Sequence, residues 1–239
     1  MNLLMNFMRN YWYYVILVIV SSYMLGSISF SIIITKLFKN KQDIRNYGSG
    51  NAGFTNVLRS IGPLPAILTM LGDFGKGALA ILISEVVFSH CPLEGIPTFY
   101  IIRYGMYIAG FCCIIGHIYP CFFEFRGGKA VLTTFSMAVI IDWRIGLLAL
   151  GVFIFVLAIS KIVSLSSILA AASFPIWNFI MVFFVDYSDP HSTTLFSYVI
   201  ISTLFSFLIA LIIIYKHGSN IDRILSGTEK KLTFAKRKV

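Results

Sequence analysis

The sequence predicts an all-α integral membrane protein with about seven transmembrane helices. Hydrophobic residues make up 58% of the 239 positions and charged residues only 12%, which is more apolar surface than one soluble core can bury. Several uncharged stretches also reach the roughly 20 residues that a helix needs to cross a hydrocarbon core. We therefore expect a single transmembrane domain over residues 1–239, with its polar residues gathered between the helices.

Four uncharged runs are long enough to span the membrane, and they cover residues 10–35, 104–123, 162–185 and 190–215. The stretch 60–89 is also long enough, although charged residues interrupt it, and 145–160 is slightly short. The stretch 130–141 would be about 18 Å long at 1.5 Å per residue, which is too short to cross alone. The first run lacks a small-residue cleavage site after it, so it is interpreted as an uncleaved helix.

The distribution of basic residues predicts the orientation of these helices. Most of the 19 Lys and Arg residues fall into loops on one side, and cytoplasmic loops are enriched in both residue types. The N-terminus is therefore predicted outside and the C-terminus in the cytoplasm. The net charge of +9 is explained by this topology and by a solvated basic tail, so nucleic-acid binding is not expected.

A glycine-rich segment follows the first predicted helix on the cytoplasmic side. It reads Gly-Ser-Gly-Asn-Ala-Gly-Phe-Thr-Asn from Gly48, and Arg59 follows it. Glycines at this spacing allow successive backbone N–H groups to point into one concavity, which is a geometry that binds phosphate. An ordinary flexible loop is the alternative interpretation.

A second polar cluster precedes the short predicted helix. Gly127, Gly128 and Lys129 lie directly before it, and His117 lies at the end of the helix before that. A helix N-terminus presents free N–H donors and partial positive charge, so this cluster is also a candidate anion site. Because the helix is short, we expect the cluster to lie below the membrane surface, lining protein or a wet cavity.

Three further polar features lie near the same face. Serines at 164–167 open the sixth predicted helix, where serines are most often caps, and the segment 217–220 closes the seventh. His217 at that helix end could simply compensate the helix dipole. Asp73 and Lys76 are three residues apart on one face of the second helix, and we interpret them as a structural ion pair that shapes the site.

Other site types have no support in the sequence. There is no Walker lysine motif, dinucleotide fingerprint or zinc signature, so neither a metal nor a cofactor is expected. The four cysteines lack paired spacing, and we interpret them as packing residues.

Taken in order, these motifs resemble the PlsY family of bacterial acyl-phosphate-dependent glycerol-3-phosphate acyltransferases. The resemblance covers about residues 26–229, and its motifs lie at 48–59, 73–77, 116–129, 164–167 and 219–229. It implies transfer of a fatty acyl group from acyl phosphate to the 1-hydroxyl of sn-glycerol 3-phosphate, giving lysophosphatidic acid and phosphate. The enzyme would work at the cytoplasmic face of the bacterial inner membrane, among membrane lipids and without a cofactor.

The resemblance also implies residue roles. The backbone from Gly48 through Gly50 to Asn51 would hold the acyl phosphate, helped by Ser166 or Ser167. Arg59 and Lys129 would hold the phosphate of glycerol 3-phosphate. Gly127 and Gly128 would also bind substrate, with Gly128 in the acyl-phosphate pocket. The groups nearest the reacting hydroxyl would be Ser49, Asn51, His217 and Asn220. Supporting roles would fall to Asp73, Lys76 and His117.

The chain departs from the family pattern at a few positions, namely Ser29, Ser31, Phe54 and Ala130, which leaves the acyl-chain preference open. Two rival hypotheses remain. His217 and Asp222 fit the His-x-x-x-x-Asp motif of another acyltransferase class, although chance explains such a match. An organophosphate or anion transporter would also place charges beside glycine-broken helices. The oligomeric state cannot be predicted from the sequence.

Overall fold

A computed structural model describes residues 2–232, and its regular secondary structure over that range is helical. The helices, in chain order, are α1 (Asn2–Ser27), α2 (Phe30–Phe38), α3 (Phe54–Ser60), α4 (Pro63–Ser89), α5 (Thr98–Ile118), α6 (Val131–Ile141), α7 (Trp143–Ser160), α8 (Val163–Phe179), α9 (Phe196–Lys216) and α10 (Gly218–Leu225). A π-helical stretch, Ile180–Tyr187, continues α8.

The predicted all-α architecture is confirmed. Six helical segments are long and apolar enough to cross a membrane, and they are Met5–Phe38, Pro63–Ser89, Thr98–Phe123, Trp143–Ser160, Val163–Tyr187 and Phe196–Lys216. The remaining predicted crossing, the fourth in chain order, is α6, which has 11 residues and is shorter than a membrane span. The number of complete crossings therefore stays a prediction.

The first predicted helix is not continuous, because the chain breaks between the end of α1 at Ser27 and the start of α2 at Phe30. A break frees helix carbonyls that need new hydrogen-bond donors. Lys76 of α4 supplies them, because its Nζ donates to Gly26 O at 3.0 Å and to Ile28 O at 2.7 Å. The expected uninterrupted helix is therefore wrong at this point.

Other helix limits also differ from the expected ones. α4 begins at Pro63 and not at residue 60, because Gly62 adopts φ 133° and proline suits the first helical turn. α5 begins at Thr98 and carries Arg103 inside the helix, with the guanidinium 4.9 Å from the Phe99 ring centroid. The predicted span begins at residue 104, directly after Arg103, because a charge is expected to lie outside the helix. The helix accommodates Arg103 and therefore begins earlier.

The helices pack closely where glycines face a neighbouring backbone. A Cβ on Gly26 of α1 would collide with the Cys113 carbonyl of α5, and one on Gly116 of α5 would collide with the Tyr23 carbonyl of α1. Deeper in the bundle, Asn178 of α8 accepts a hydrogen bond from Tyr107 Oη at 2.9 Å. The same side chain donates to Ser202 of α9, so its buried amide joins three helices.

The segments 39–62, 119–130 and 217–232 meet at one end of the bundle, which we call the site end. At the opposite end, Arg144 donates to Asp142 at 2.6 Å and to Asp186 at 2.7 Å. This ion-pair cluster lines a cavity of ≈ 410 Å³. Its arginine is engaged by two carboxylates, whereas Arg59 and Lys129 at the site end have no ion-pair partner within residues 2–232.

Candidate active site

The glycine-rich segment between α2 and α3 forms a tight loop. Gly48 and Gly50 adopt φ values of 58° and 70°, in the left-handed region that favours glycine. A Cβ on Gly48 would also collide with Asn56 Oδ1 and approach Ser60 Oγ to 2.7 Å. Glycine at position 48 is thus required both by the backbone conformation and by the close approach of α3.

Asn56 braces this loop from the first turns of α3. Its buried side chain accepts a hydrogen bond from Ser49 N at 3.1 Å. Its Nδ2 lies within donating distance of three loop carbonyls, those of Ile44, Tyr47 and Asn51. One amide side chain therefore organises the loop on both sides of Gly48 and Gly50.

Some backbone N–H groups of the loop already donate hydrogen bonds within the protein. Ser49 N donates to Asn56, and Gly50 N donates to Tyr47 O at 2.9 Å. Within residues 2–232, the N–H groups of Gly48, Asn51 and Ala52 have no protein acceptor. Of the amides expected to form a cradle, from Gly48 to Asn51, those of Ser49 and Gly50 therefore already have protein acceptors, and Ala52 contributes a further N–H group without one in this part of the chain.

The Gly127–Gly128 turn packs against both α5 and the glycine-rich loop. Gly127 N donates to Ile118 O at 3.1 Å, and Gly128 N donates to His117 O at 3.2 Å. A Cβ on Gly128 would collide with Ala52 O on one side and with His117 Nε2 on the other. The two predicted anion loops are thus in contact, and they meet at Gly128.

A buried group of charges lies beneath this junction. Asp73 Oδ1 is 3.1 Å from Lys76 Nζ, which confirms the predicted ion pair, and 3.6 Å from His117 Nδ1. Thr133 Oγ1 of α6 lies 3.4 Å from the same histidine nitrogen. All four side chains are buried. Removing one charge would leave the other buried without a partner, so the pair stabilises the helix junction.

Lys129 is held by an amide instead of a carboxylate. Its half-buried Nζ donates to Asn220 Oδ1, and Asn220 Nδ2 donates to Glu229 Oε1 at 2.7 Å. Because Glu229 can only accept, it determines which end of the Asn220 amide faces Lys129. Glu229 also accepts hydrogen bonds from Ser164 Oγ at 2.7 Å and from Arg223 Nε at 2.6 Å.

The environment of this network shifts the pKa values of Lys129 and Glu229. Burial lowers the pKa of Lys129 to about 8, although the nearby Glu229 charge opposes the shift. Burial raises the pKa of Glu229, but the hydrogen bonds from Ser164, Arg223 and Asn220 outweigh it and leave that pKa lowered. The network therefore couples an ionised carboxylate to an amine that titrates near physiological pH.

His217 lies between α9 and α10 and is buried. Its Nδ1 is 2.8 Å from Ile213 O, and because a carbonyl only accepts, Nδ1 carries the proton and Nε2 keeps a lone pair. Burial and the charge of Lys129 lower the pKa of His217 to about 4, so the ring is neutral at pH 7. Its Nδ1 partner is a backbone carbonyl, so the geometry does not support a dyad with Asp222.

The segment 226–232, which we call the C-terminal strap, crosses the site end. Leu232 N donates to Lys161 O at 2.7 Å, and Glu229 anchors the middle of the strap. The exposed Arg59 of α3 reaches the strap through Nη2, which is 3.5 Å from Lys230 O. The strap thereby connects Arg59 to the Glu229 network that holds Lys129.

Three serines with predicted roles, Ser49, Ser166 and Ser167, make no side-chain hydrogen bond to the other predicted site residues in the described part of the chain. The hydroxyls of Ser166 and Ser167 donate to carbonyls of their own helix, Ile162 O and Val163 O. They are therefore not free to donate to a phosphate in this conformation. Ser49 is exposed on the glycine-rich loop.

Residues without a predicted role make central contacts here, and they are Asn56, Thr133, Ser164 and Glu229. Asn56 and Glu229 lie inside motifs that carried the family resemblance, so the sequence contained a signal for both. Their contacts with distant segments could not be read from it. Within residues 2–232 there is no cluster of three His, Cys, Asp or Glu side chains suited to a metal ion.

Known proteins share this architecture along most of the chain. Residues 16–227 match the model of the family described as glycerol-3-phosphate acyltransferase. A glycerol-3-phosphate acyltransferase of Prochlorococcus marinus (strain MIT 9312) is 41% identical, covering 91% of this chain and 97% of the relative. One of Thermoanaerobacter pseudethanolicus is 36% identical, covering 92% and 96%.

Solved structures of the integral membrane glycerol 3-phosphate acyltransferase PlsY are also similar. The glycerol 3-phosphate form superposes with a TM-score of 0.73 at 29% identity, covering 92% of this chain and 96% of that one. The lysophosphatidic acid form has a TM-score of 0.71 at 28% identity, covering 92% and 95%.

Proposed function

This chain belongs to the glycerol-3-phosphate acyltransferase family, and we propose that it transfers a fatty acyl group from acyl phosphate to the 1-hydroxyl of sn-glycerol 3-phosphate. The products are lysophosphatidic acid and inorganic phosphate. The observation that carries the proposal is Lys129, a half-buried amine paired with a neutral amide. Within the described residues no carboxylate contacts it, so its charge is available to a substrate phosphate.

Two cations from different segments bind the phosphate of glycerol 3-phosphate. Lys129 approaches from the Gly127–Gly128 turn, and Arg59 approaches from α3 beneath the C-terminal strap. Arginine presents a planar fork of donors to phosphate, whereas lysine acts as a compact charge. Substrate binding exchanges the neutral partners of these cations, Asn220 and the Lys230 carbonyl, for an anion.

The acyl phosphate binds at the glycine-rich loop. The unpaired N–H groups of Gly48, Asn51 and Ala52 are its donors, and Asn56 holds them in place without ligand. Donors arranged before substrate arrives cost no reorganisation during the reaction. The apolar chain extends between helices towards lipid, and the junction at Gly128 keeps the two substrates adjacent.

The reaction needs positioning more than a strong base. The 1-hydroxyl oxygen attacks the acyl carbonyl carbon, a carbon–oxygen ester bond forms, and the bond between the acyl carbon and the phosphate oxygen breaks. The leaving phosphate takes the hydroxyl proton. His217 Nε2 can accept a hydrogen bond from the hydroxyl and orient it, but a pKa of about 4 makes the ring a weak base at pH 7. Ser49 and Asn220 lie near the same hydroxyls.

The site faces the cytoplasm in this proposal, with the N-terminus outside, as the positions of the basic residues indicate. Transport of an organophosphate would need a second anion site at the opposite end of the bundle. The arginine there, Arg144, is engaged by Asp142 and Asp186, so no specific observation favours transport.

The proposal is tested with detergent-purified protein and palmitoyl phosphate. We expect phosphate release only when glycerol 3-phosphate is also present, in amounts equal to the lysophosphatidic acid formed. Arg59→Lys should reduce the rate substantially because lysine lacks the planar fork. Acylation from acyl-CoA but not from acyl phosphate would show that acyl phosphate is not the donor. Uptake of glycerol 3-phosphate, without an acyl donor, by vesicles that contain the protein would favour transport.

A further inference from the structure

The buried ion pair of Asp73 and Lys76 is connected to the Gly127–Gly128 turn through one residue, His117. His117 is the penultimate residue of α5, and its backbone carbonyl accepts the hydrogen bond from Gly128 N at 3.2 Å. The carbonyl of Ile118 receives Gly127 N in the same way. The end of α5 thus satisfies its free carbonyls with the Gly127–Gly128 turn, and the position of that turn depends on the end of this helix.

The imidazole ring occupies the space between a carboxylate and this turn. Its Nδ1 edge lies 3.6 Å from Asp73 Oδ1 and 3.4 Å from Thr133 Oγ1. Its Nε2 edge abuts Gly128 so closely that a Cβ there would collide with it. The ring therefore spans the whole distance from α4 to the turn, and its orientation is set from the Asp73 side.

Asp73 is itself restrained. Lys76 Nζ lies 3.1 Å from the same carboxylate oxygen, and that amine also holds the broken end of α1 through Gly26 O and Ile28 O. The side chains of Asp73, Lys76 and His117 are all buried, so losing one of their contacts would leave a buried polar group without a partner. A continuous set of contacts runs from the α1–α2 break through Lys76, Asp73 and His117 to Gly128.

We propose that His117 is a positioning residue for the phosphate of glycerol 3-phosphate: it fixes the Gly127–Gly128 turn and so sets the direction in which Lys129 presents its amine. The inference rests on the proposed substrate site at Lys129. Lys129 is the next residue after the contact, so a displaced Gly128 redirects its side chain. Displacement of a catalytic or binding group by about 1 Å can cost a hundredfold in rate.

The test uses His117→Asn, which keeps a polar group near Nδ1 and removes the ring edge that contacts Gly128. We expect the KM for glycerol 3-phosphate to rise at least about tenfold, with kcat and the KM for acyl phosphate changed less than about threefold. His191→Asn makes the same chemical change on an exposed loop at the opposite end and serves as the matched control. His117→Gln refills part of the ring volume and should recover part of the loss.

A double-mutant cycle separates positioning from a general packing role. If His117 acts through Lys129, His117→Asn should add little to the defect of Lys129→Ala. Equal effects of His117→Asn in the wild-type and Lys129→Ala backgrounds would overturn the proposal. So would an unchanged KM for glycerol 3-phosphate in a folded His117→Asn variant.

Calorimetric binding of glycerol 3-phosphate to the same variants needs no acyl donor. It therefore still tests the role of His117 if acyl phosphate proves to be the wrong donor. Wild-type affinity in a folded His117→Asn variant would contradict the positioning role on its own.

Discussion

Replacing Asn56 with alanine should disorder the glycine-rich loop, where we propose that acyl phosphate binds, while leaving the helical bundle intact. Asn56 makes three short hydrogen bonds with the loop, because it accepts from Ser49 N at 3.1 Å and its amide donates to Tyr47 O at 2.9 Å and to Asn51 O at 3.0 Å. It also accepts a longer hydrogen bond, of 3.4 Å, from Ser60 Oγ of α3. The contact with Ser60 is long and is omitted from the sum. Three hydrogen bonds at about 1 kcal/mol each give about 3 kcal/mol for ordering the loop.

A loss of this size corresponds to roughly a hundredfold lower population of the ordered loop. We therefore expect kcat/KM for acyl phosphate to fall about a hundredfold in Asn56→Ala, measured as phosphate release by purified protein at saturating glycerol 3-phosphate. Far-UV circular dichroism should show unchanged helix content, because α3 and the loop lie at one end of the bundle. Ser60→Ala, which loses only the long contact, is the control and should lose less than about threefold. If the activity of Asn56→Ala stays within threefold of the wild type, the hypothesis that Asn56 orders the loop is wrong.

Three further predictions concern charge, backbone and topology. Because the pKa of Lys129 is lowered to about 8, its amine loses its proton as the pH rises through that value, so kcat/KM for glycerol 3-phosphate should fall above about pH 8. Lys129→Arg, which stays charged, should flatten that limb of the pH–rate profile, and an unchanged limb would contradict the assignment. Gly48→Ala should reduce activity more than Gly50→Ala, because a Cβ at position 48 would collide with Asn56 whereas one at position 50 would lie 3.4 Å from Arg45 O. Ser49→Thr should reduce activity least. The opposite order of activities in purified variants would argue for a site built from side chains. Cysteines placed at Ser49, Gly127 and Ser219 should be labelled from the cytoplasmic side and those at Asp142 and Asp189 from outside, and labelling of either set from the wrong side would refute the topology.

Glu229 and Asn56 lie inside motifs that carry the family resemblance, but the sequence did not predict a role for either residue. Each lies inside a recognised segment, but its partners are remote: Ser164 is 65 residues from Glu229. A motif identifies residues that a family retains and does not state which neighbours they contact. The same limit applies to Ser166 and Ser167, for which the resemblance implies a phosphate contact. In this structure their hydroxyls donate to the carbonyls of Ile162 and Val163, four residues earlier in the chain.

The sequence by itself determined the properties that depend on local composition. Hydropathy over about 20 residues predicts helices for the membrane, and glycine at positions 48 and 50 permits the left-handed backbone found there. The spacing of Asp73 and Lys76 was likewise sufficient to predict their ion pair, because residues three apart share a helix face.

Only the tertiary structure decided which groups remain free to bind a substrate. Lys129 and Asn220 are 91 residues apart, and Glu229 sets the orientation of the amide between them. The free amides of the glycine-rich loop are those that Asn56 and Tyr47 leave unpaired, and the α1–α2 break exists where Lys76 can satisfy its carbonyls. Each of these depends on the assignment of hydrogen-bond partners across the bundle, and that assignment is made only when the distant segments have packed together.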